Sequence, residues 1–116
     1  MSETKNFTSK ELACKCCGVD GTTQEFADKL QKLRDAVGIP LTITSAYRCE
    51  KHNAAVGGAK DSQHIRGTAA DIKWDDIDGN ARSRMLKCAM LIFGGIGIDK
   101  KFIHIDSRAN ETMWVY

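Results

Sequence analysis

The stretch TTQEFADKLQKLRDAVGIPLTITSAYR, residues 22–48, constrains the fold more than any other part of the chain. Phe26, Leu30, Leu33 and Val37 recur at spacings of four, three and four, which gives a helix with one apolar face. Thr22 or Thr23 can cap its start, and Gly38 followed by Pro40 ends it. The period then changes. Leu41, Ile43 and Ser45 alternate with Thr42, Thr44 and Ala46, the pattern of a strand.

The rest of the chain repeats this alternation of short helices and strands. TSKE, from Thr8 to Glu11, reads as a capping box opening a short helix. EKHNAAV is a short helix stopped by Gly57 and Gly58, and TAADIKW is a second strand. DGNARSRMLKCAMLIFGG is a second long helix, apolar at Met85, Leu86, Ala89, Met90 and Phe93. GIGI and FIHID are two more strands, joined tightly through Asp99 to Lys101. Together these predict an α+β domain, a small and mostly antiparallel sheet with helices packed around it. A chain of 116 residues holds one such core, so residues 1–116 are expected to form a single domain.

Composition narrows the function classes. Hydrophobic residues make up 42% and charged residues 28%, as in a soluble globular protein. A net charge of +2 is too small and too dispersed for nucleic-acid binding. No apolar run approaches the ~20 residues that span a bilayer, so membrane insertion is not expected. The start, MSETKNFTSKE, has no apolar core and no small-residue cleavage site. A cytoplasmic monomer is therefore expected. The cysteines number five, so at least one thiol is unpaired within the chain, which suits a reducing compartment.

The polar residues on the strands raise the functional question. In SQHIRGTAADIKW, His64 sits in the loop feeding a strand on which Asp71 faces away from Ala70 and Ile72. On the last predicted strand His104 and Asp106 share the face opposite Ile103 and Ile105. Gly67 lets the loop turn back. Two imidazoles and one carboxylate are a common catalytic zinc set, with a further position left for water. Asp106 could carry the proton, Arg48 could hold the developing oxyanion, and the small Ser62, Ala69 and Ala70 would leave room for substrate. Plainer readings stand beside these. His104 can be a satisfied core histidine, Asp106 a turn former, and Arg48 a surface partner of Glu50.

Longer motifs bear on that choice. The S-x-Y-R stretch (Ser45 to Arg48), H-N-x-x-V-G-G (His52 to Gly58) and S-x-H-x-x-G-x-A-x-D (Ser62 to Asp71) resemble the core of the M15 zinc peptidases. These are D-alanyl-D-alanine carboxypeptidases and related peptidoglycan endopeptidases. GIGIDKKFIHIDSR resembles the family's closing strand pair, and FTSKELACKC the start of its small bacterial and phage members. The resemblance implies the fold shared with hedgehog signalling domains and lysostaphin-type peptidases. It implies one zinc ion on His64, Asp71 and His104, with Arg48 contacting substrate or intermediate and Ser62 and Gln63 lining the pocket. It also implies a cell-wall-peptide substrate and, for so small a chain, an endolysin-like role after release from the cytoplasm. The alternative is a module that binds wall peptides without cleaving them.

One departure concerns the acid/base. Family branches place Asp or Glu three residues before the last ligand, or His two before; here those positions hold Lys101 and Phe102. Asp106 is then the first choice for the base and Asp99 the second, with orientation of a ligand as the other role open to Asp106. His52, on its short helix, is expected to be a solvated or capping residue rather than a ligand. ACKCCG leaves three states open: a structural metal, a disulfide from Cys49 to one of the N-terminal cysteines, or reduced thiols. Its C-x-C-C spacing departs from the usual C-x-x-C knuckle. A redox or metal-handling role centred on these thiols is a further reading. Cys88 reads as a small apolar residue on the long helix.

Overall fold

A computed structural model describes residues 3–116; residues 1 and 2, part of the expected domain and of the segment read for a leader, lie outside it. The elements run α1 (Ser9–Leu12), α2 (Gln24–Val37), β1 (Thr42–Ser45), α3 (Glu50–Ala55), β2 (Ala69–Lys73), α4 (Gly79–Ile92), β3 (Gly95–Ile98), β4 (Phe102–Asp106) and β5 (Thr112–Val115). The strands form one sheet in the order β1-β2-β4-β3-β5. All neighbours are antiparallel except β3 and β5. The α+β class with a mostly antiparallel sheet is therefore the observed one. Among the described residues, no helix is long and apolar enough to cross a membrane.

Local chemistry accounts for the helix ends. The Thr8, Thr23 and Asp78 side chains accept backbone N–H groups of Glu11, Phe26 and Ala81 at the starts of α1, α2 and α4. Gly38 closes α2 in the left-handed conformation, with φ +79°. The apolar face of α2 buries Phe26, Leu30, Leu33 and Val37 as its spacing predicts. On α4, Met85 and Ala89 are buried, with Phe93 just beyond its end, whereas Met90 stands 52% exposed at the edge of the stripe.

These two helices pack on one face of the sheet. Ile43, Ala70, Ile72, Ile96, Ile103 and Ile105 meet them there. Phe26 and Phe93 join α2 to the end of α4, ring centroids 5.5 Å apart. Each fully buried Leu or Ile contributes roughly 1.5–3 kcal/mol by leaving water. That layer fixes the strands from below. The opposite face is free to carry polar groups.

Candidate metal centre and its cleft

A single row of residues crosses the polar face. Ser45, Asp71, His104, Gly97 and Trp114 are successive neighbours on β1, β2, β4, β3 and β5. Asp71 and His104 are direct cross-strand partners, so strand alternation and register together bring these two candidate ligands side by side. β1 joins the row through a bulge. Ile43 pairs with Ile72 and Ser45 with Asp71, which leaves Thr44 as the extra residue. Strict alternation puts Ser45 on the face of Ile43; the bulge moves it to the face of Asp71.

Beyond the bulge, the exit of β1 meets the His64 loop. Ala46 turns inward, and its carbonyl lies 2.7 Å from His64 Nδ1. The Arg48 N–H donates to the His64 carbonyl at 3.2 Å. The His64 loop turns at Gly67, where φ is +75° and a Cβ would collide with the Gly21 carbonyl oxygen. Gly67 is thus required both for its backbone conformation and for the close approach to the start of α2.

His64 and His104 are each held by the ring nitrogen that faces away from Asp71. His64 Nδ1–H donates to the Ala46 carbonyl, which makes Nε2 a lone pair. That Nε2 is buried without a hydrogen-bond partner, 3.3 Å from Asp71 Oδ1. His104 Nε2 is 2.7 Å from Asp106 Oδ2, and its Nδ1 is 3.0 Å from Asp71 Oδ1. With Nε2–H donating to Asp106, Nδ1 is also a lone pair. Two lone pairs then converge on one carboxylate oxygen, an arrangement that a shared cation stabilises.

The dimensions suit zinc. Bonds of ~2.0–2.1 Å in a tetrahedral site place donor atoms roughly 3.3 Å apart. The two contacts to Asp71 Oδ1 are 3.3 and 3.0 Å, and the His64, Asp71 and His104 donor atoms all lie within 4.8 Å of one another. Burial pushes the Asp71 carboxyl up, but the two imidazoles outweigh it and hold Asp71 well below the usual carboxylate range. Burial pushes His104 down, yet without a cation both ring nitrogens can carry protons to Asp106 and Asp71, and these hydrogen bonds raise it.

Asp106 shares the face of His104 as predicted, but its carboxylate is fully buried. Oδ2 receives His104 Nε2 and Arg108 Nη2, the latter at 2.8 Å, and Oδ1 receives Arg108 Nε at 2.9 Å and the Arg108 N–H at 3.1 Å. Burial alone pushes this carboxyl up; His104 and Arg108 bring it below the usual range. A group with both oxygens so engaged is placed to orient His104 rather than to meet a substrate. Gly95 lies beneath it, where a Cβ would strike the carboxylate. The second choice for the base, Asp99, accepts the Lys101 N–H at 2.9 Å in the β3–β4 turn and does not line the cleft. His52 is not part of the cluster.

The donors open into a cleft of ≈ 670 Å³. Arg48, Ser62 and Gln63 line it from the loops, and Phe102, Trp114 and Tyr116 from the strands and the end of the chain. Arg48 Nη2 is 3.7 Å from Asp71 Oδ2, Nη1 donates to Asn53 Oδ1 at 3.2 Å, and its buried Nε–H has no partner. Ser62 Oγ accepts the His64 N–H, and Gln63 Oε1 accepts the Thr68 hydroxyl. What they still offer is a hydroxyl proton and an amide NH2. Ala69 and Ala70 do not line the cleft. Both are fully buried, Ala70 in the core with Ile43 and Ile72, so their small size serves packing and not substrate access.

The aromatic wall is absent from the sequence expectations. They assign no strand to TMWV, although Met113 and Val115 alternate there with Trp114 and Tyr116. Trp114 lies 5.3 Å from the His104 ring and takes the Arg108 guanidinium on its face at 4.9 Å to the centroid. A Cβ at Gly97 would sit 2.7 Å from that indole. Asp61, also missed, lines the cleft as an exposed carboxylate paired with Arg66 at 2.8 Å.

The zinc D-Ala-D-Ala carboxypeptidase of Streptomyces albus G is 44% identical to this chain over 45 residues. That match takes in 38% of this chain and 18% of the relative, so the chain spans less than a fifth of the relative's length. The family model described as Peptidase M15 matches residues 5–106. A match over that much of the chain includes every one of the three clustered donors, and the chain belongs to the M15 peptidase family.

Proposed function

We propose that this chain is a zinc-dependent peptidase that hydrolyses a peptide bond in the stem or cross-link peptides of bacterial peptidoglycan, as a wall-lysing endolysin or a carboxypeptidase. The observation that carries this reading is the convergence of His64, Asp71 and His104 on the floor of an open cleft. The name of the Streptomyces relative supports a wall peptide as the substrate class.

When bound to these residues, zinc supplies the Lewis acidity that polarises a peptide carbonyl and makes water nucleophilic near neutral pH. The chain's own groups do the remaining work. Arg48, whose guanidinium lines the cleft with Nη2 3.7 Å from Asp71 Oδ2, holds the oxygen that turns negative as the carbonyl is attacked. Ser62, Gln63 and the aromatic wall position the peptide. Asp106 keeps the His104 Nδ1 lone pair aimed at the site.

Incubation of the zinc-loaded protein with purified peptidoglycan should release new amino groups. A chelator should stop the release and added zinc restore it. Mass spectrometry of the products identifies the bond. No release from the fully loaded protein would favour the second reading, a module that holds wall peptides without cutting them. That reading draws on the enclosure of Asp106, which leaves the exposed Asp61 as the cleft's carboxylate besides Asp71 among the described residues.

Asp106→Asn separates orientation from proton transfer. The amide keeps an acceptor for His104 but loses the charge. Zinc affinity should fall by about 10–100-fold, with turnover largely kept once the site is saturated with metal. Retained zinc with abolished turnover would instead make Asp106 the proton carrier.

A further inference from the structure

The five cysteines fall into two groups. Cys88 packs on the core from α4. The others gather where the segment after α1 meets the segment before α3. The sulfurs of Cys14, Cys17 and Cys49 all lie within 4.8 Å of one another, and those of Cys14 and Cys49 are 3.7 Å apart. Cys14 is buried, Cys49 half-buried and Cys17 exposed. Cys16 is exposed beside them, and its thiol interacts with that of Cys49.

The C-x-C-C spacing speaks against a metal knuckle only while Cys16 and Cys17 are taken together. The fold instead pairs Cys14 with Cys17, which is C-x-x-C, followed by Gly18. Gly18 adopts φ +75°, and its N–H donates to the Cys14 carbonyl at 2.8 Å. The Cys14 N–H donates to the Val19 carbonyl at 2.8 Å, which closes the turn. Backbone donors also address the sulfurs. The Cys49 N–H points at Cys14 Sγ and the His52 N–H at Cys49 Sγ, both at 3.4 Å. Burial pushes the Cys14 thiol up, but N–H groups of Cys49, Cys17 and Cys16 outweigh it and bring it to about 6.

We infer that Cys14, Cys17 and Cys49 form a second metal site, taking a thiophilic divalent cation with zinc as the first choice and Cys16 as the nearest candidate for a fourth ligand. A tetrahedron with Zn–S bonds of ~2.3 Å has edges of roughly 3.8 Å. The Cys14–Cys49 separation of 3.7 Å matches that edge and far exceeds a disulfide bond of ~2.05 Å. With Cys16 as the fourth ligand, four thiolates would leave no open position for water, which makes the site structural. Its role is set by its place. Cys49 directly follows Arg48, and the Tyr47 N–H already donates to the Leu12 carbonyl at 3.3 Å. A cation there ties the N-terminal segment to the strand exit that carries Arg48. This inference is independent of the proposed peptidase activity.

The test counts metal in the full chain, purified with a phosphine reductant and no chelator. Inductively coupled plasma and native mass spectrometry should find two zinc equivalents in the wild type. Cys17→Ser, a change at an exposed residue, should leave one, and His64→Ala should also leave one. Cobalt loaded into His64→Ala should show a strong thiolate-to-cobalt charge-transfer band, and cobalt in Cys17→Ser should not. That spectrum keeps the inference testable if a cysteine variant fails to fold. A single wild-type equivalent that Cys17→Ser keeps and His64→Ala loses would overturn it, as would an intact mass lighter by two hydrogens with Cys14 and Cys49 joined in one crosslinked peptide of the digest. So would full reaction of the clustered thiols with a thiol reagent in the native protein.

Discussion

His64→Ala should remove zinc from the cleft and stop release of amino groups from peptidoglycan. The expected loss of turnover is ~10³-fold or more, because Lewis-acid stabilisation is worth several kcal/mol and each 1.36 kcal/mol is about a factor of ten. The fold should survive. His64 lies in a loop held independently by Gly67, by the Thr23 N–H on the Gly67 carbonyl at 2.9 Å, and by the Arg48 N–H. The variant also removes a buried lone pair that faces a carboxylate, which costs the metal-free wild type stability. Thermal unfolding separates the two effects. Zinc at ~100 times its dissociation constant stabilises a binding-competent protein by about 2.7 kcal/mol, and this increment from the cleft site should vanish in the variant. Full activity in His64→Ala would sink the assignment of the metal centre.

Arg48→Ala should act differently. Its guanidinium approaches Asp71 only to 3.7 Å and belongs to none of the clustered donors, so zinc content should stay at the wild-type level. Turnover should fall by about 10²–10³-fold, the usual cost of losing a donor aimed at developing negative charge. Because that charge exists only in the transition state, kcat should carry the loss while KM changes little. Arg48→Lys should not rescue it. A lysine lacks the planar fork with which Arg48 reaches Asn53 through Nη1 while Nη2 stays near Asp71. Loss of zinc in Arg48→Ala would reassign the residue to metal-site architecture, and wild-type kcat would remove it from the mechanism.

Much of this is legible in the chain, for identifiable reasons. The apolar spacing on α2 reports burial directly, and the structure keeps it intact. Asp71 and His104 are readable as candidate ligands because each sits between isoleucine or alanine neighbours that must face the core. Alternation misplaces Ser45 because a bulge inserts one residue and shifts the pattern, with no composition signal at Thr44. Ala69 and Ala70 mislead because small size is compatible with a cleft wall and with tight packing alike. The enclosure of Asp106 depends on Arg108 folding back from beyond the strand end, a contact set by tertiary geometry. Cys16 hides the pairing of Cys14 with Cys17, since spacing alone cannot say which of two adjacent side chains comes closest to Cys14 and Cys49.

The unequal support of the five strands has a consequence for how the cleft moves. β2 and β4 are bonded on both sides and buried against two helices, so two of the three donors, Asp71 and His104, sit on the stiffest part of the sheet, and His64 sits in the loop that leads into β2. Among the described residues β5 is an edge strand paired in the sheet only with β3, and Met113 and Val115 are exposed. Local opening begins at such margins long before the centre gives way. The cleft therefore has a rigid floor and a yielding flank, and the flank bears Trp114 and Tyr116. Under the proposed function, peptides of different bulk would be accommodated by displacement of that flank while the candidate metal centre keeps its shape. In amide exchange, the β5 N–H groups would be labelled early and those of β4 last, so that adaptability and chemistry occupy different rungs of one stability ladder.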